Sequence, residues 1–220
     1  MVEVLRTFVE SGQTLTLRRR GEALDLLLGN VVLLSSAALG TEDAFGRLAT
    51  RGFAATDEAP RIVIGGLGFG ATLRAVLAVA PPRAQIVVTE KLQAVVDVAR
   101  NEAASIVQGA LDDERVTLVM GDIADVIARE RELASLLLDV DNGPEWASFR
   151  SNARLYAPAA LERARAAMRP GGIFAVWSGY PRDAFVPVLR AAGFRASIEP
   201  LREGNVVRAR AYVGIAPEAR

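Results

Sequence analysis

A cluster of four glycines follows the apolar run at residues 62–64, and a helical pattern begins directly behind it. The cluster contains Gly65, Gly66, Gly68 and Gly70. Because glycine has no Cβ, backbone N–H groups in such a loop can approach a ligand closely, and the helix N-terminus adds the positive end of a dipole. The arrangement is typical of the first βα turn of a nucleotide-binding α/β sheet. Its spacing differs from the G-x-G-x-x-G of dinucleotide enzymes and fits a mononucleoside better.

Acidic residues close or follow the next three apolar runs: Glu90, Asp122, and Asp139 with Asp141. In a doubly wound sheet, ligands bind outside the carboxyl ends of the strands, which is where these acids are expected. Glu90 follows Gly70 by about 20 residues, the separation at which a carboxylate accepts the ribose hydroxyl hydrogens. Asp122, flanked by apolar Ile123, is expected to reach the exocyclic amine of an adenine. A helix cap is the alternative role for any one of these acids, and Asp122 is expected to cap a helix as well.

Composition limits the chemistry that remains. The chain has 220 residues, of which 51% are hydrophobic and 24% charged, enough for one domain with a small appendage. Histidine and cysteine are both absent, so we expect no metal site and no disulfide, and acid–base work must fall to Asp, Glu, Tyr or the substrate. The formal net charge is +0, which gives no reason to expect a nucleic acid partner. No apolar run approaches the ~18 residues of a membrane span, and a cytoplasmic location is expected.

Residues 1–52 are expected to form a small β-strand region followed by one helix. Alternation near Thr16 and a hairpin around Gly29 and Asn30 predict strands, and Thr41 is expected to cap a helix that ends near Arg51. A few strands cannot bury both faces alone, so they must pack on the main domain or pair with a second copy. We therefore expect a homodimer.

Residues 53–220 are expected to form the nucleoside-binding domain. Strands are predicted at residues 61–65, 85–90, 116–120, 133–139, 173–178, 195–201 and 206–213. Helices are predicted at residues 71–80, 92–108, 123–131, 158–168 and 183–192, and residues 169–172 are expected to form a turn. Strands that are apolar throughout indicate a parallel sheet covered on both faces. The fold class is therefore a Rossmann-like, doubly wound, mostly parallel seven-stranded sheet with helices on both faces, preceded by a small N-terminal β-hairpin region.

The chain resembles the class I S-adenosylmethionine-dependent transferases, and within them the spermidine synthase (polyamine aminopropyltransferase) family. The segments that carry the resemblance are residues 64–70, 88–91 and 138–144. The resemblance implies that the four glycines surround the methionine portion of the cofactor. It also implies that Glu90 binds the ribose, that Asp122 lies beside the adenine and that Asp139 takes a proton from an attacking amine. With these, Lys91, Ile123 and Asp139 complete the expected cofactor-binding set, and Asp141 joins Asp139 as a candidate base or amine anchor.

Three departures from that family concern the acceptor. The family's loop usually has an Asp where this chain has Gly68, and its D-x-x-D-P segment is contracted here to residues 139–144. The positions of its diamine-binding Gln and Tyr fall among apolar residues: Leu33, Leu34, Ala38 and Leu39. Burying a dication without acids or acceptors is unfavourable, so the cofactor site is expected to be kept and the polyamine site lost.

Three functions remain open. Methyl or related alkyl transfer from S-adenosylmethionine to a small-molecule acceptor is the preferred interpretation, and an amine is among the candidate acceptors. The second is aminopropyl transfer from decarboxylated S-adenosylmethionine, with methylthioadenosine as product, and the third is a non-catalytic nucleoside-binding or scaffold protein. Phe69, Trp146, Tyr156, Trp177 and Tyr180 are candidate aromatic walls of the pocket.

Overall fold

In the computed structural model, residues 1–140, 150–180 and 183–218 are described. An N-terminal antiparallel sheet comes first, with the strands in sequence order. They are β1 (Val2–Glu10), β2 (Gln13–Arg20), β3 (Ala23–Leu28) and β4 (Val31–Ser35). The predicted hairpin at Gly29 and Asn30 joins β3 to β4. The sheet packs on the main body, because Leu15, Leu17 and Leu26 lie in the same apolar cluster as the central strands.

A seven-stranded sheet forms the main body, as the sequence predicts. Its strands are β5 (Arg61–Gly65), β6 (Gln85–Glu90), β7 (Val116–Met120), β8 (Leu133–Leu138), β9 (Met168–Ser178), β10 (Arg195–Glu203) and β11 (Val206–Ile215). Their order is β10-β11-β9-β8-β5-β6-β7. The pairs from β9 to β7 are parallel, and β11 is antiparallel to both of its neighbours. The carboxyl ends of β8, β5, β6 and β7 therefore lie side by side.

Helices cover both faces of this sheet. The helices are α1 (Gly40–Arg47), α2 (Ala71–Val79), α3 (Gln93–Arg100), α4 (Ala104–Val107), α5 (Ile123–Arg129), α6 (Pro158–Ala167) and α7 (Phe185–Ala191). The apolar residues of α1 to α4 join the N-terminal sheet in one core cluster, and those of α5 to α7 form a second cluster on the opposite face. None of the helices in the described ranges is long and apolar enough to cross a membrane.

Local hydrogen bonding overturns three predicted details. Thr41 does not cap α1, because the helix begins at Gly40 and the Thr41 hydroxyl donates to Glu42 Oε2 at 2.6 Å. The helix continues only as a 3-10 turn, Leu48–Gly52.

The predicted helix at residues 92–108 breaks near Asn101, whose ψ is −89°. The side-chain amide of Asn101 donates to the Asp97 carbonyl at 2.7 Å, and Ala103 N–H bonds back to Val98. Such side-chain bonds to the backbone compete with the helical pattern.

The predicted turn at residues 169–172 lies instead within β9. Gly171 N–H donates to the Ala216 carbonyl, and Ala216 N–H donates to the Gly172 carbonyl. The segment forms a bulge between the pairs Leu133–Met168 and Ser135–Ile173, and Gly171 has φ +74°. The long-range bonds keep this bulge within the sheet, which no local pattern indicates.

Candidate active site

A cavity of about 770 Å³ opens at the carboxyl edge of β5, β6 and β8, beneath the N-terminal sheet. Of the predicted site residues, Gly66, Gly68, Glu90, Lys91, Ile123 and Asp139 line it. Gly65, Gly70 and Asp122 lie at the same edge but are not among its lining residues, and Asp141 lies outside the described residues. The volume of this cavity is in the range of small-molecule binding sites.

The glycine loop brings the backbone of β5 against the end of β8. Gly66 has φ +91°, and a Cβ on it would lie 2.1 Å from the carbonyl oxygen of Asp139. Only glycine tolerates both the left-handed backbone and the close approach. Next to it, a Cβ on Gly68 would lie 3.6 Å from a methyl carbon of Leu34 on β4. The loop thus contacts the N-terminal sheet on one side and β8 on the other.

Glu90 is held against this loop by backbone N–H groups. Its Oε2 accepts from Leu67 N–H at 3.1 Å, and its Oε1 accepts from Lys91 N–H at 2.7 Å and Leu92 N–H at 2.9 Å. Burial raises the pKa of Glu90, and the hydrogen bonds from the Leu92, Leu67 and Lys91 backbones oppose that rise. The Gly68 backbone N–H opposes the rise as well, so the carboxylate is held by backbone groups on both sides of the loop.

Asp122 is the N-cap of α5, as predicted, and accepts from Ala124 N–H at 2.9 Å. Lys91 Nζ lies 2.9 Å from its Oδ2, and Arg154 bonds to the same oxygen. Burial acts to raise the pKa of Asp122, but Lys91, the Ala124 N–H and Arg154 outweigh it, and the pKa is lowered. Its neighbours Gly121 and Ile123 line the cavity. The expected contact with an adenine amine stays a prediction.

Asp139 directly follows β8, and its pKa is strongly perturbed. Its Oδ2 accepts from the Thr72 hydroxyl at 2.6 Å. Burial, and then the charge of Glu42, raise the pKa of Asp139 to about 7, while the Thr72 hydrogen bond acts to lower it. A carboxyl group with a pKa near neutrality is suited to accept a proton during turnover.

Glu42 and Thr72 are site residues that the sequence analysis missed. They meet because α1 packs closely on α2: a Cβ on Gly46 would lie 2.5 Å from the Thr72 carbonyl oxygen. Burial raises the pKa of Glu42 despite a hydrogen bond from Thr41. The only local signal for Thr72 is its place two residues after the glycine loop, and nothing near Glu42 in the sequence points to Asp139.

The N-terminal sheet closes the cavity from above. Ser11 and Gln13, at the turn between β1 and β2, belong to its lining. Glu10 anchors this turn, because its carboxylate accepts from Gln93 N–H at 2.8 Å and Ala94 N–H at 3.0 Å at the start of α3. A carboxylate at a helix N-terminus is favoured by the helix dipole. The small leading region therefore forms part of the site itself.

The candidate aromatic residues separate into two groups. Phe69 and Trp177 line the cavity. Tyr156 packs edge-on against Phe185 at 5.7 Å in the opposite core, and Tyr180 is not among the lining residues. Trp146 lies outside the described residues.

A second cavity, of about 660 Å³, opens at the other edge of the sheet, at the amino ends of β5, β6 and β7. Its charged groups are largely paired: Arg61 bonds to Glu130, and Arg115 bonds to Asp113 at 2.9 Å through two nitrogens. Because the glycine loop and the perturbed acids all lie at the carboxyl edge, the first cavity is the candidate active site.

No protein-family model and no curated protein sequence matches the chain. Solved structures do share its fold. Spermidine synthase from Thermotoga maritima superposes with a TM-score of 0.75 at 14% identity, covering 99% of this chain and 74% of that one. A spermidine synthase in complex with the transition-state analogue AdoDATO gives 0.73 at 15% identity, covering 99% and 73%. A probable spermidine synthase from Corynebacterium glutamicum gives 0.65 at 16% identity, covering 99% and 82%. The chain therefore has a spermidine synthase-like class I fold, as its sequence predicts.

Proposed function

We propose that the protein transfers an aminopropyl group from decarboxylated S-adenosylmethionine to an amine. The sequence analysis favoured methyl or related alkyl transfer. The fold similarity supports its alternative better, since the three solved structures compared above are named as spermidine synthases or a probable one. The observation that carries the proposal is the pair of acids, Asp139 and Glu42, beside the glycine loop.

The residues at the carboxyl edge fit a nucleoside. In the proposal, Glu90 accepts the ribose hydroxyl hydrogens, because its carboxylate lines the cavity beside the glycine loop. Gly121 and Ile123 supply a small, apolar surface for the adenine, with Asp122 behind them. Gly66, Gly68 and Asp139 line the same cavity, so the sulfur-bearing chain is placed between the loop and Asp139.

The charges near the loop favour a donor without a carboxylate. The carboxylates of Asp139 and Glu42 repel each other, which contributes to the raised pKa of Asp139. A third carboxylate there would be repelled, whereas the free ammonium of a decarboxylated donor would be attracted. Lys91, a cation of the lining, is engaged with Asp122.

The donor supplies a sulfonium, whose carbon–sulfur bond breaks with the electron pair passing to sulfur as the acceptor nitrogen bonds to that carbon. The protein must hold the two reactants in line and remove one proton from the nitrogen. Asp139 takes that proton in the proposal, and the Thr72 hydroxyl fixes the orientation of its carboxylate. Glu42 raises the proton affinity of Asp139 and helps attract the cationic amine.

Methyl transfer is the second candidate, and one observation favours it. Arg208 on β11 lines the cavity and makes no hydrogen bond or ion pair with the described residues, so its charge is available to the carboxylate of S-adenosylmethionine.

Mass spectrometry of the products separates these functions. The protein is incubated with a mixture of primary amines and either donor. Aminopropyl transfer releases methylthioadenosine from the decarboxylated donor and gives aminopropylated amines, whereas methyl transfer releases S-adenosylhomocysteine. Asp139→Asn is the control and is expected to release neither product. Tight binding of methylthioadenosine with no product from either donor would refute both enzymatic candidates and favour the scaffold interpretation.

A further inference from the structure

One wall of the candidate active site is apolar and belongs to the N-terminal sheet. We call it the β4 wall; it consists of Val32, Leu33, Leu34, Ala38 and Leu39, all of which line the cavity. Leu34 lies over the glycine loop, 3.6 Å from the position of a Cβ on Gly68. Any acceptor that reaches Asp139 from the side of the N-terminal sheet therefore passes these residues.

Among the described residues that line the cavity, the acids are Glu42, Glu90 and Asp139. Glu90 is held by the loop backbone, on the nucleoside side. Glu42 and Asp139 stand together at the start of α2. No described residue of the β4 wall carries a charge, and the further charged residues of the lining, Lys91 and Arg208, are cations.

A buried acid behind the wall is already neutralised. Asp25 on β3 is 1% exposed, and its carboxylate accepts from Ser35, Arg18 and Arg20. Those partners lower the pKa of Asp25, against the opposing effect of its burial. It therefore offers no free negative charge to a cation in the cavity.

We propose that the acceptor is an amine with one positive charge and an apolar body, and that the β4 wall selects it against diamines. The proposal rests on aminopropyl transfer as the proposed function and adds the class of acceptor. The amine nitrogen meets Glu42 and Asp139, and the apolar body packs on Leu34 and its neighbours. A second ammonium would lose its hydration against this wall without gaining an acid, and Arg208 would repel it.

The test compares two acceptors of equal heavy-atom count, n-pentylamine and 1,4-diaminobutane. Calorimetry measures their binding to the protein saturated with methylthioadenosine. We expect n-pentylamine to bind at least about tenfold more tightly, because one end of the diamine remains unpaired. Equal binding, or tighter binding of the diamine, would overturn the proposal.

A matched pair of variants tests whether the wall is responsible. Leu34→Asn places a polar group in the cavity, whereas Val31→Asn changes a residue of the same strand that is 51% exposed and not part of the lining. We expect Leu34→Asn to reduce the preference at least about tenfold and Val31→Asn to leave it unchanged. Equal changes in both would refute the role of the wall, and the wild-type comparison decides the acceptor class even if Leu34→Asn does not fold.

Failure of this proposal can be told apart from failure of the proposed function. Product formation from decarboxylated S-adenosylmethionine and the mixture of amines is measured first. If no aminopropylated amine forms, the proposed function is wrong. If one forms and the diamine is preferred in binding, only the acceptor class is wrong.

Discussion

Asp139→Asn is expected to make the folded protein more stable at alkaline pH while it abolishes turnover. Burial, and then the charge of Glu42, raise the pKa of Asp139 from its ordinary value of 3.8 to about 7 in the folded chain. Its proton is therefore bound more tightly in the folded state. The resulting stabilisation is fully present below about pH 4 and is lost as the pH rises through about 7.

The size of the effect follows from the shift in pKa. A difference of about three pK units, at about 1.4 kcal/mol each, gives roughly 4 kcal/mol between the two plateaus. The asparagine amide oxygen can still accept the Thr72 hydrogen bond, so the substitution removes the charge and keeps the contact.

Urea unfolding at intervals between about pH 4 and pH 9 measures the effect. The variant and the wild type should have similar free energies of unfolding at the acid end, and the variant should be about 2–4 kcal/mol more stable at the alkaline end. Asp113→Asn is the control of opposite sign, because the Arg115 hydrogen bonds lower the pKa of Asp113 to about 2. That control should lose stability at neutral pH. If the free energies of unfolding of wild type and Asp139→Asn differed by the same amount at every pH, the raised pKa of Asp139 and its role as a base would be refuted.

Three further predictions concern the nucleoside site, the glycine loop and the assembly. Glu90→Gln should weaken methylthioadenosine binding at least about tenfold by calorimetry, while Asp139→Asn changes it little; equal losses would mean that the two acids are misassigned. Gly66→Ala should lower the free energy of unfolding by about 2 kcal/mol more than Gly109→Ala, as measured by urea unfolding. Both glycines have positive φ, but a Cβ at Gly66 would lie 2.1 Å from a carbonyl oxygen and one at Gly109 would have nothing within 4 Å, so equal losses would refute the crowding argument. We also propose a homodimer that covers the exposed valines of β1, with a mass by light scattering of twice 23.4 kDa; a mass near 23.4 kDa would remove it.

The central sheet could be predicted from sequence because buried parallel strands are continuous apolar runs. All six residues of β8 are buried, and its predicted and observed bounds differ by one residue. Parallel strands also bring their carboxyl ends to one edge, so the shared location of Glu90 and Asp139 follows from the strand assignments alone. That reasoning placed Asp122 at the same edge, but it did not predict that the Asp122 carboxylate forms ion pairs with Lys91 and Arg154.

The remaining features depend on contacts between distant segments. Glu42 approaches Asp139 only because α1 packs on α2 through Gly46, and neither helix shows this by its own pattern. Glu10 caps α3 across 83 residues, so no local rule could identify the cap. Asn101 breaks a helix that its apolar periodicity favours, since a side-chain bond to Asp97 competes locally. The residues expected to meet the acceptor, such as Glu42, depend on such contacts more than the residues expected to bind the cofactor, such as Glu90.

The division of the chain at residue 52 into a leading region and a nucleoside-binding domain stays a prediction. The structure shows a leading sheet whose leucines share a core cluster with the strands of the main sheet. Residues 32–35, 38 and 39 also line the cavity together with the glycine loop. We therefore propose that the two regions act as one functional unit, whatever their boundary.

Calorimetry with the two donors tests the central claim most directly, namely that Asp139 and Glu42 make the site selective for a sulfonium nucleoside without a carboxylate. Decarboxylated S-adenosylmethionine should bind at least about tenfold more tightly than S-adenosylmethionine, because its chain carries no negative charge toward those acids. The preference should disappear in Asp139→Asn combined with Glu42→Gln. Equal or tighter binding of S-adenosylmethionine by the wild type would contradict the account and would favour methyl transfer, with Arg208 as the partner of the cofactor carboxylate.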